Sequence, residues 1–190
     1  DLTALNQSRK ALTEKGKEEA IRIIETTELK NDRVLVVYLP DCHESLAGII
    51  AGRIREKYHR PAFVLTGGET SAKGSGRSIE SYSMYEELVK CADLMIQFGG
   101  HPMAAGLSIE EKNIEEFRRR LNVNCTLTDE ELRPKIVIDV PMPVSYITKE
   151  LVEQISLLEP FGKGNAKPVF AQKNLRVLKI GIYGKTQNTV

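Results

Sequence analysis

Two short runs carry residue types that bind anions. Ala72-Lys73-Gly74-Ser75-Gly76-Arg77-Ser78-Ile79 joins a lysine, an arginine and two hydroxyls to two glycines, and Phe98-Gly99-Gly100-His101-Pro102-Met103-Ala104-Ala105-Gly106 joins paired glycines to one imidazole. A guanidinium grips phosphate as a fork, an ammonium acts as a point charge, and hydroxyls satisfy the remaining oxygens. Glycines let backbone N–H groups approach a ligand with no side chain in the way. Singly, each run has a plain structural explanation: a tight turn capped by His101, a strand-end arginine paired with a carboxylate, a solvated lysine. Together they favour one anion site. In it Arg77 makes a bidentate phosphate contact, Ser75 and Ser78 fill further acceptor positions, Lys73 adds charge, and His101 donates alongside the Gly99 and Gly100 amides. His101 is also the candidate general acid.

Such residues need a scaffold, and the 190-residue chain, 41% hydrophobic, has enough apolar material for real cores. Arg33 to Leu39 is nearly continuously apolar and β-branched, the pattern of a strand buried on both faces. Leu46, Ile49, Ile50, Ile54 and Tyr58 then recur at helical spacing, with Gly48 and Gly52 four apart allowing close packing, and Pro61 to Thr66 is a second strand. Strand, helix, strand implies a right-handed crossover and a parallel pair. Residues 72 to 79 make a third strand, Ser83 and Glu86 a capping box opening a helix, and Leu94 to Phe98 a strand entering a Gly-Gly-His loop. Ala105 to Ile109 leads out of that loop, and Ser108 with Glu111 caps a last helix that turns Ile114, Phe117 and Leu121 inward.

The flanks differ in character. Residues 1 to about 30 set Leu2, Leu5, Leu12, Ile21 and Ile24 among charges and read as helix. Beyond Asn122, a linker precedes a strand at 135–140, a helix at 148–158 and strands at 168–172 and 175–183, the order of an incomplete small β-barrel. The expected fold is therefore α/β: a mixed, partly parallel sheet flanked by helices, then an incomplete small β-barrel, with divisions at 1–32, 33–122, 123–134 and 135–190.

Net charge is only +1, which argues against coating nucleic acid by bulk electrostatics. From Pro160 onward, however, there is no Asp or Glu, while Lys163, Lys167, Lys173, Arg176, Lys179 and Lys185 all fall there. Lys163, Lys167, Lys173 and Arg176 are the candidates for a face that meets phosphate, against the alternative of a solvated surface. Cys42, Cys91 and Cys125 show no CxxC spacing and read as buried thiols. His43, His59 and His101 form no recognisable metal-ligand set with Asp41 or Glu44. No apolar run reaches the roughly 20 residues of a membrane span and the first residues lack a signal-peptide core, so the expectation is a soluble, cytoplasmic protein without membrane partners.

The run GSGRSI followed by FGGHPMAAG resembles the DHHA1 domain of the DHH phosphoesterase family. LNQSRKALTE at 5–14, HESLAGIIAGRI at 43–54, YHRPAFVL at 58–65 and PFGKGNAKPVF at 160–170 narrow the likeness to its RecJ branch, the single-stranded-DNA exonucleases. The resemblance implies a DNA-binding part of a 5′-to-3′ exonuclease used in DNA repair and recombination, with the Ser75–Ser78 segment holding the 5′-terminal phosphate. It implies that His43 lines the same cleft, although Ser45 stands where glycine is usual. It further implies that 1–32 is a connector helix leaving a catalytic DHH domain that precedes the chain, 33–122 a DHHA1 substrate-binding domain, 123–134 a linker and 135–190 a partial OB-fold-like domain whose barrel is incomplete. The manganese or magnesium belongs to that absent domain, so the chain itself is expected to hold no metal or cofactor and not to cleave DNA alone. Implied partners are single-stranded DNA, the DHH domain of the same parent chain and a single-stranded-DNA-binding protein. Two other readings stand beside this one. One is a DHH-family phosphodiesterase acting on nanoRNA or cyclic dinucleotides, which the basic PFGKGN-containing extension disfavours; the other is a non-catalytic nucleic-acid-binding adaptor.

Overall fold

A computed structural model describes residues 2–162 and 164–182 and divides the chain into two compact units, 1–134 and 135–190. In the first unit, helix α1 (Leu2–Thr26) and a 3-10 turn lead into strand β1 (Leu35–Leu39), helix α2 (Glu44–Tyr58) and strand β2 (Ala62–Thr66). Strand β3 (Ala72–Arg77), helix α3 (Met84–Val89), the hairpin of β4 (Met95–His101) and β5 (Ala104–Ile109), and helix α4 (Ile114–Val123) complete it. The five strands form one sheet in the order β1-β2-β3-β5-β4, parallel between β1 and β2 and antiparallel elsewhere.

Alternation along β1 and β2 divides the core in two. Val36, Phe63 and Leu65 point to one face, where Met84 and Leu88 of α3 and Phe117 and Leu121 of α4 cover them. Leu35, Val37, Leu39, Ala62 and Val64 point to the other, under Ala20 and Ile24 of α1 and Leu46, Ala47, Ile50, Ala51 and Ile54 of α2. The Phe63 and Phe117 rings meet edge to face at 5.4 Å, and such a pair adds about 0.5–1.5 kcal/mol to burial. The first turns of α1 stand clear of this core, with Leu5 and Leu12 exposed. The three thiols are free, and burial pushes each of them up from its ordinary pKa.

Several sequence expectations give way here. The Gly-Gly-His run is not a loop: Gly99, Gly100 and His101 lie within β4, paired to Gly106, Ala105 and Ala104, and the chain turns at Pro102 and Met103. Ser108 does not cap α4; it sits inside β5, and α4 begins at Ile114 after a 3-10 turn. Ser83 does cap α3, accepting from the Glu86 amide. The segment expected as a linker packs on the first unit, since Leu127 is buried in the Phe63 core and Cys125 and Leu132 lie against it.

The second unit has far less regular structure. Strand β6 (Val140–Pro141) pairs in parallel with β7 (Phe170–Ala171), and helix α5 (Lys149–Ser156) is capped by Thr148. The expected strand at 135–140 survives only at its end, and residues 175–182 form no strand; residue 183 lies outside the described residues. A strand needs ladder partners to persist, and among the described residues nothing pairs with 175–182. No helix among the described residues is long and apolar enough to cross a membrane.

Candidate anion-binding site

The site follows from strand register. Lys73 of β3 is opposite Ser108 of β5, which is opposite Gln97 of β4; Ser75 is opposite Gly106 and then Gly99; Arg77 is opposite Ala104 and then His101. Residues directly opposite share a face, and residues two apart along a strand share it too, so these nine positions form three rows on one side of the sheet. That is the side on which α2 lies, because a Cβ on Gly48 would stand 2.8 Å from Arg77 Nη2 and 3.2 Å from Ser75 Oγ. The α carbons of Arg77 and His101 are therefore about 10 Å apart, two strand spacings, with only the methyl of Ala104 between them.

The glycines of the first run face the other way. Gly74 and Gly76 alternate with Ser75, and a Cβ on Gly76 would come 2.6 Å from the Phe63 ring and 2.9 Å from Met84 Sδ. They let core side chains lie against the backbone rather than opening it to a ligand. In the second run the two glycines split their tasks. Gly100 has φ +153°, and a Cβ there would stand 2.4 Å from the Ala104 carbonyl oxygen, so it is required by the hairpin. Gly99 has nothing within 4 Å of its missing Cβ, and Gly106 has only the Gly74 carbonyl oxygen at 3.7 Å. These two form a thin, open floor.

Charge on this floor is cationic and unneutralised. Arg77 Nη1 donates to the Gly76 carbonyl at 2.8 Å and Lys73 Nζ donates to Ser108 Oγ at 3.0 Å; among the described residues neither pairs with a carboxylate. The His101 imidazole is exposed and has no partner among the described residues. A cavity of about 500 Å³ lies over the floor, lined by Lys73, Ser75, Gln97, Gly99, Gly106 and Ser108, with Glu44, Ser45 and Ala47 of α2 as its wall. Its size is that of a small-ligand site. Among the described residues no three His, Cys, Asp or Glu side chains are grouped to hold a metal ion.

Two expected members leave the site. Ser78 is 1% exposed, and its hydroxyl is turned inward to the Tyr82 carbonyl, so it has no surface from which to reach a phosphate. His43 caps α2, its Nδ1 accepting from the Ser45 amide at 3.2 Å and lying 2.8 Å from Ser45 Oγ. Its ring borders a different hollow, between α1 and the end of β1, while Ser45 and Glu44 face the cavity. In the second unit Lys167, Lys173 and Arg176 are exposed, with Lys167 Nζ 6.0 Å from the Phe161 ring centre; Lys163 lies outside the described residues. Motifs alone do not single out Ser108, Gln97 or Gly106 as site residues, although counting alternate residues along β5 and β4 from their neighbours reaches them. Gly48 stands out in the sequence as a packing glycine, but only the structure shows that it packs against Arg77 and Ser75.

Residues 31–126 match the family model of the DHHA1 domain and residues 138–190 that of the RecJ OB domain. A DHHA1 domain followed by an OB domain is thus the class. The chain belongs to the DHHA1 family, in its RecJ branch. It is 36% identical over 172 residues to the single-stranded-DNA-specific exonuclease RecJ of Bacillus subtilis strain 168, covering 88% of this chain and 22% of that protein. Against the protein of the same name from Escherichia coli K12 it is 34% identical over 195 residues, 97% of this chain and 34% of that one. The crystal structure of RecJ in complex with Mg2+ from Thermus thermophilus superposes with a TM-score of 0.74 at 28% identity, covering 89% of this chain and 26% of that chain. The chain therefore spans about a third or less of the length of these relatives.

Proposed function

We propose that the open sheet face holds the 5′-terminal phosphate of a single DNA strand and presents that end to a phosphodiester-cleaving DHH domain, in a 5′-to-3′ exonuclease of DNA repair and recombination. The observation that carries this reading is Arg77, a guanidinium with no carboxylate partner among the described residues, set beside Ser75 Oγ on an otherwise bare glycine floor. The terminal phosphate takes the Arg77 fork, the Ser75 hydroxyl donates to a third oxygen, and His101 donates from the far end of the row. A terminal phosphate carries more charge than an internal phosphodiester, so the fork distinguishes a strand end from a strand middle. Holding a reactant in one geometry contributes up to roughly 7–11 kcal/mol to a reaction, which is what this unit supplies to chemistry performed elsewhere. Hydrolysis, with the divalent metal it requires, is assigned to the DHH domain. Lys167, Lys173 and Arg176 add salt-dependent, sequence-tolerant contacts to the strand from the second unit.

The test is a titration of the chain with 5′-phosphorylated and 5′-hydroxyl oligothymidylate, wild type against Arg77→Ala. The wild type should prefer the phosphorylated strand by about tenfold or more, as one or two charge-assisted hydrogen bonds require, and Arg77→Ala should erase the preference. Equal affinity in all four combinations would remove the end-binding role.

A further inference from the structure

The cavity on the sheet face is not centred on Arg77. Neither Arg77 nor His101 lines it; its floor is the middle row and the row of Lys73, Ser108 and Gln97. The guanidinium of Arg77, by contrast, leans toward the middle row, since Arg77 Nη2 and Ser75 Oγ both touch the point where a Gly48 Cβ would stand. A phosphate held by those two groups sits at the middle row. The Lys73 row is one step further along β3, two residues at about 3.4 Å each, or about 7 Å. That is close to the distance from one phosphate to the next in an extended single strand.

We infer that Lys73 and Ser108 form a second subsite, which takes the first internal phosphodiester of the strand while Arg77 and Ser75 hold its terminal phosphate. The inference rests on the end-binding role proposed for Arg77 and adds a direction: the strand runs along β3 from Arg77 toward Lys73. Lys73 is suited to the task because its side chain is exposed, its one side-chain hydrogen bond among the described residues is to a neutral hydroxyl, and Ser108 Oγ already fixes where it points. Ser108 is only 8% exposed but lines the cavity, and because its oxygen accepts from Lys73 its proton can donate to the second phosphodiester oxygen. Glu44 closes the same cavity from the first turn of α2. Its carboxylate repels a phosphate placed against that helix, which keeps the backbone on the Lys73 side and leaves Glu44 and the Gln97 amide facing the sugar and base. The floor between, Gly99 and Gly106, is thin enough for the chain to lie flat.

Length dependence tests this separately from end recognition. Thymidine 5′-monophosphate and the 5′-phosphorylated dinucleotide pTpT are titrated into the 190-residue chain as wild type, Lys73→Ala, Lys73→Arg and Arg77→Ala, with binding read by amide chemical shifts. The wild type should bind pTpT about tenfold more tightly than the mononucleotide, one charge-assisted contact's worth. Lys73→Ala should remove that gain, weakening pTpT by about tenfold and the mononucleotide by much less, Lys73→Arg should restore it, and the salt slope for pTpT should fall by about one in Lys73→Ala. A dinucleotide advantage that survives Lys73→Ala, or no advantage in the wild type, overturns the second subsite and leaves end recognition standing. Unchanged mononucleotide binding in Arg77→Ala would instead overturn the reading on which it rests.

Discussion

The two halves of the five-stranded sheet are built from opposite materials. β1 and β2 read LVVYL and AFVLT, buried on both faces between helix pairs, whereas β3 and β5 read AKGSGR and AAGLSI, more deeply buried on one face than on the other, and β4, MIQFGGH, has no buried residue. In the first half every residue serves packing. In the second, alternation separates the tasks: Gly74, Gly76, Ala105, Leu107 and Ile109 close the Phe63 core, and Lys73, Ser75, Arg77, Gly99 and His101 face outward. A sheet that stops burying one of its faces partway across becomes a rigid platform, and rigid platforms place ligand contacts more accurately than loops do.

If the halves are so divided, substitutions should separate stability from binding. Phe63→Ala should have the largest effect, lowering unfolding free energy by about 3–5 kcal/mol in urea titration while the folded fraction keeps its preference for phosphorylated ends. Gly100→Ala should follow, at about 1–3 kcal/mol, because φ +153° and the Ala104 carbonyl both resist a side chain. Its neighbour should behave differently: Gly99→Val meets open space, so the thermal midpoint should hold while oligonucleotide affinity falls as the isopropyl group fills the floor. If Gly99→Val and Gly100→Ala destabilise alike, the floor is a packing feature and not a binding one.

Gly48→Ala should move the two properties in opposite directions. Alanine in a helix interior is worth about 0.5–1 kcal/mol over glycine, yet the new methyl forces the Arg77 guanidinium aside. A raised thermal midpoint with weakened end preference is expected, and unchanged binding would place the phosphate away from Arg77. The smallest effect belongs to the surface of α4, where hydrogen bonds from Arg119 and Arg120 hold Glu116 down to about 2 from 4.5. A carboxyl lowered on folding stabilises the protein above its unfolded pKa and loses that contribution as pH falls toward 2. Glu116→Gln should therefore be slightly less stable than wild type at about pH 7, and the difference should shrink toward zero as pH falls to about 2, with phosphate binding untouched throughout.

Much of this is legible in the chain. β1, α2 and β2 follow from an apolar run, a helical repeat and a second apolar run, and the Ser83 cap from one hydroxyl three residues before a glutamate. Arg77 and His101 stand out by residue type. What fails is the inference from glycine. Glycine commonly marks open backbone, but Gly74 and Gly76 are there for Phe63, Met84 and Leu107, and Gly99 and Gly100 lie inside a strand. Ser78 looks like its neighbour Ser75 and is nonetheless buried against Tyr82. In the second unit, strand-like patterning at 175–182 does not become strand, since β-structure depends on a partner that a local pattern does not supply.

The sequence by itself determined which residues can bind an anion and which segments must be buried, because side-chain chemistry and hydrophobic period are local properties. Only the tertiary structure decided which of those residues meet. Register between β3, β5 and β4 sets Arg77 and His101 in one row, Lys73 in another and Ser78 in neither, and pairing register is fixed by contacts between segments that lie far apart in the chain.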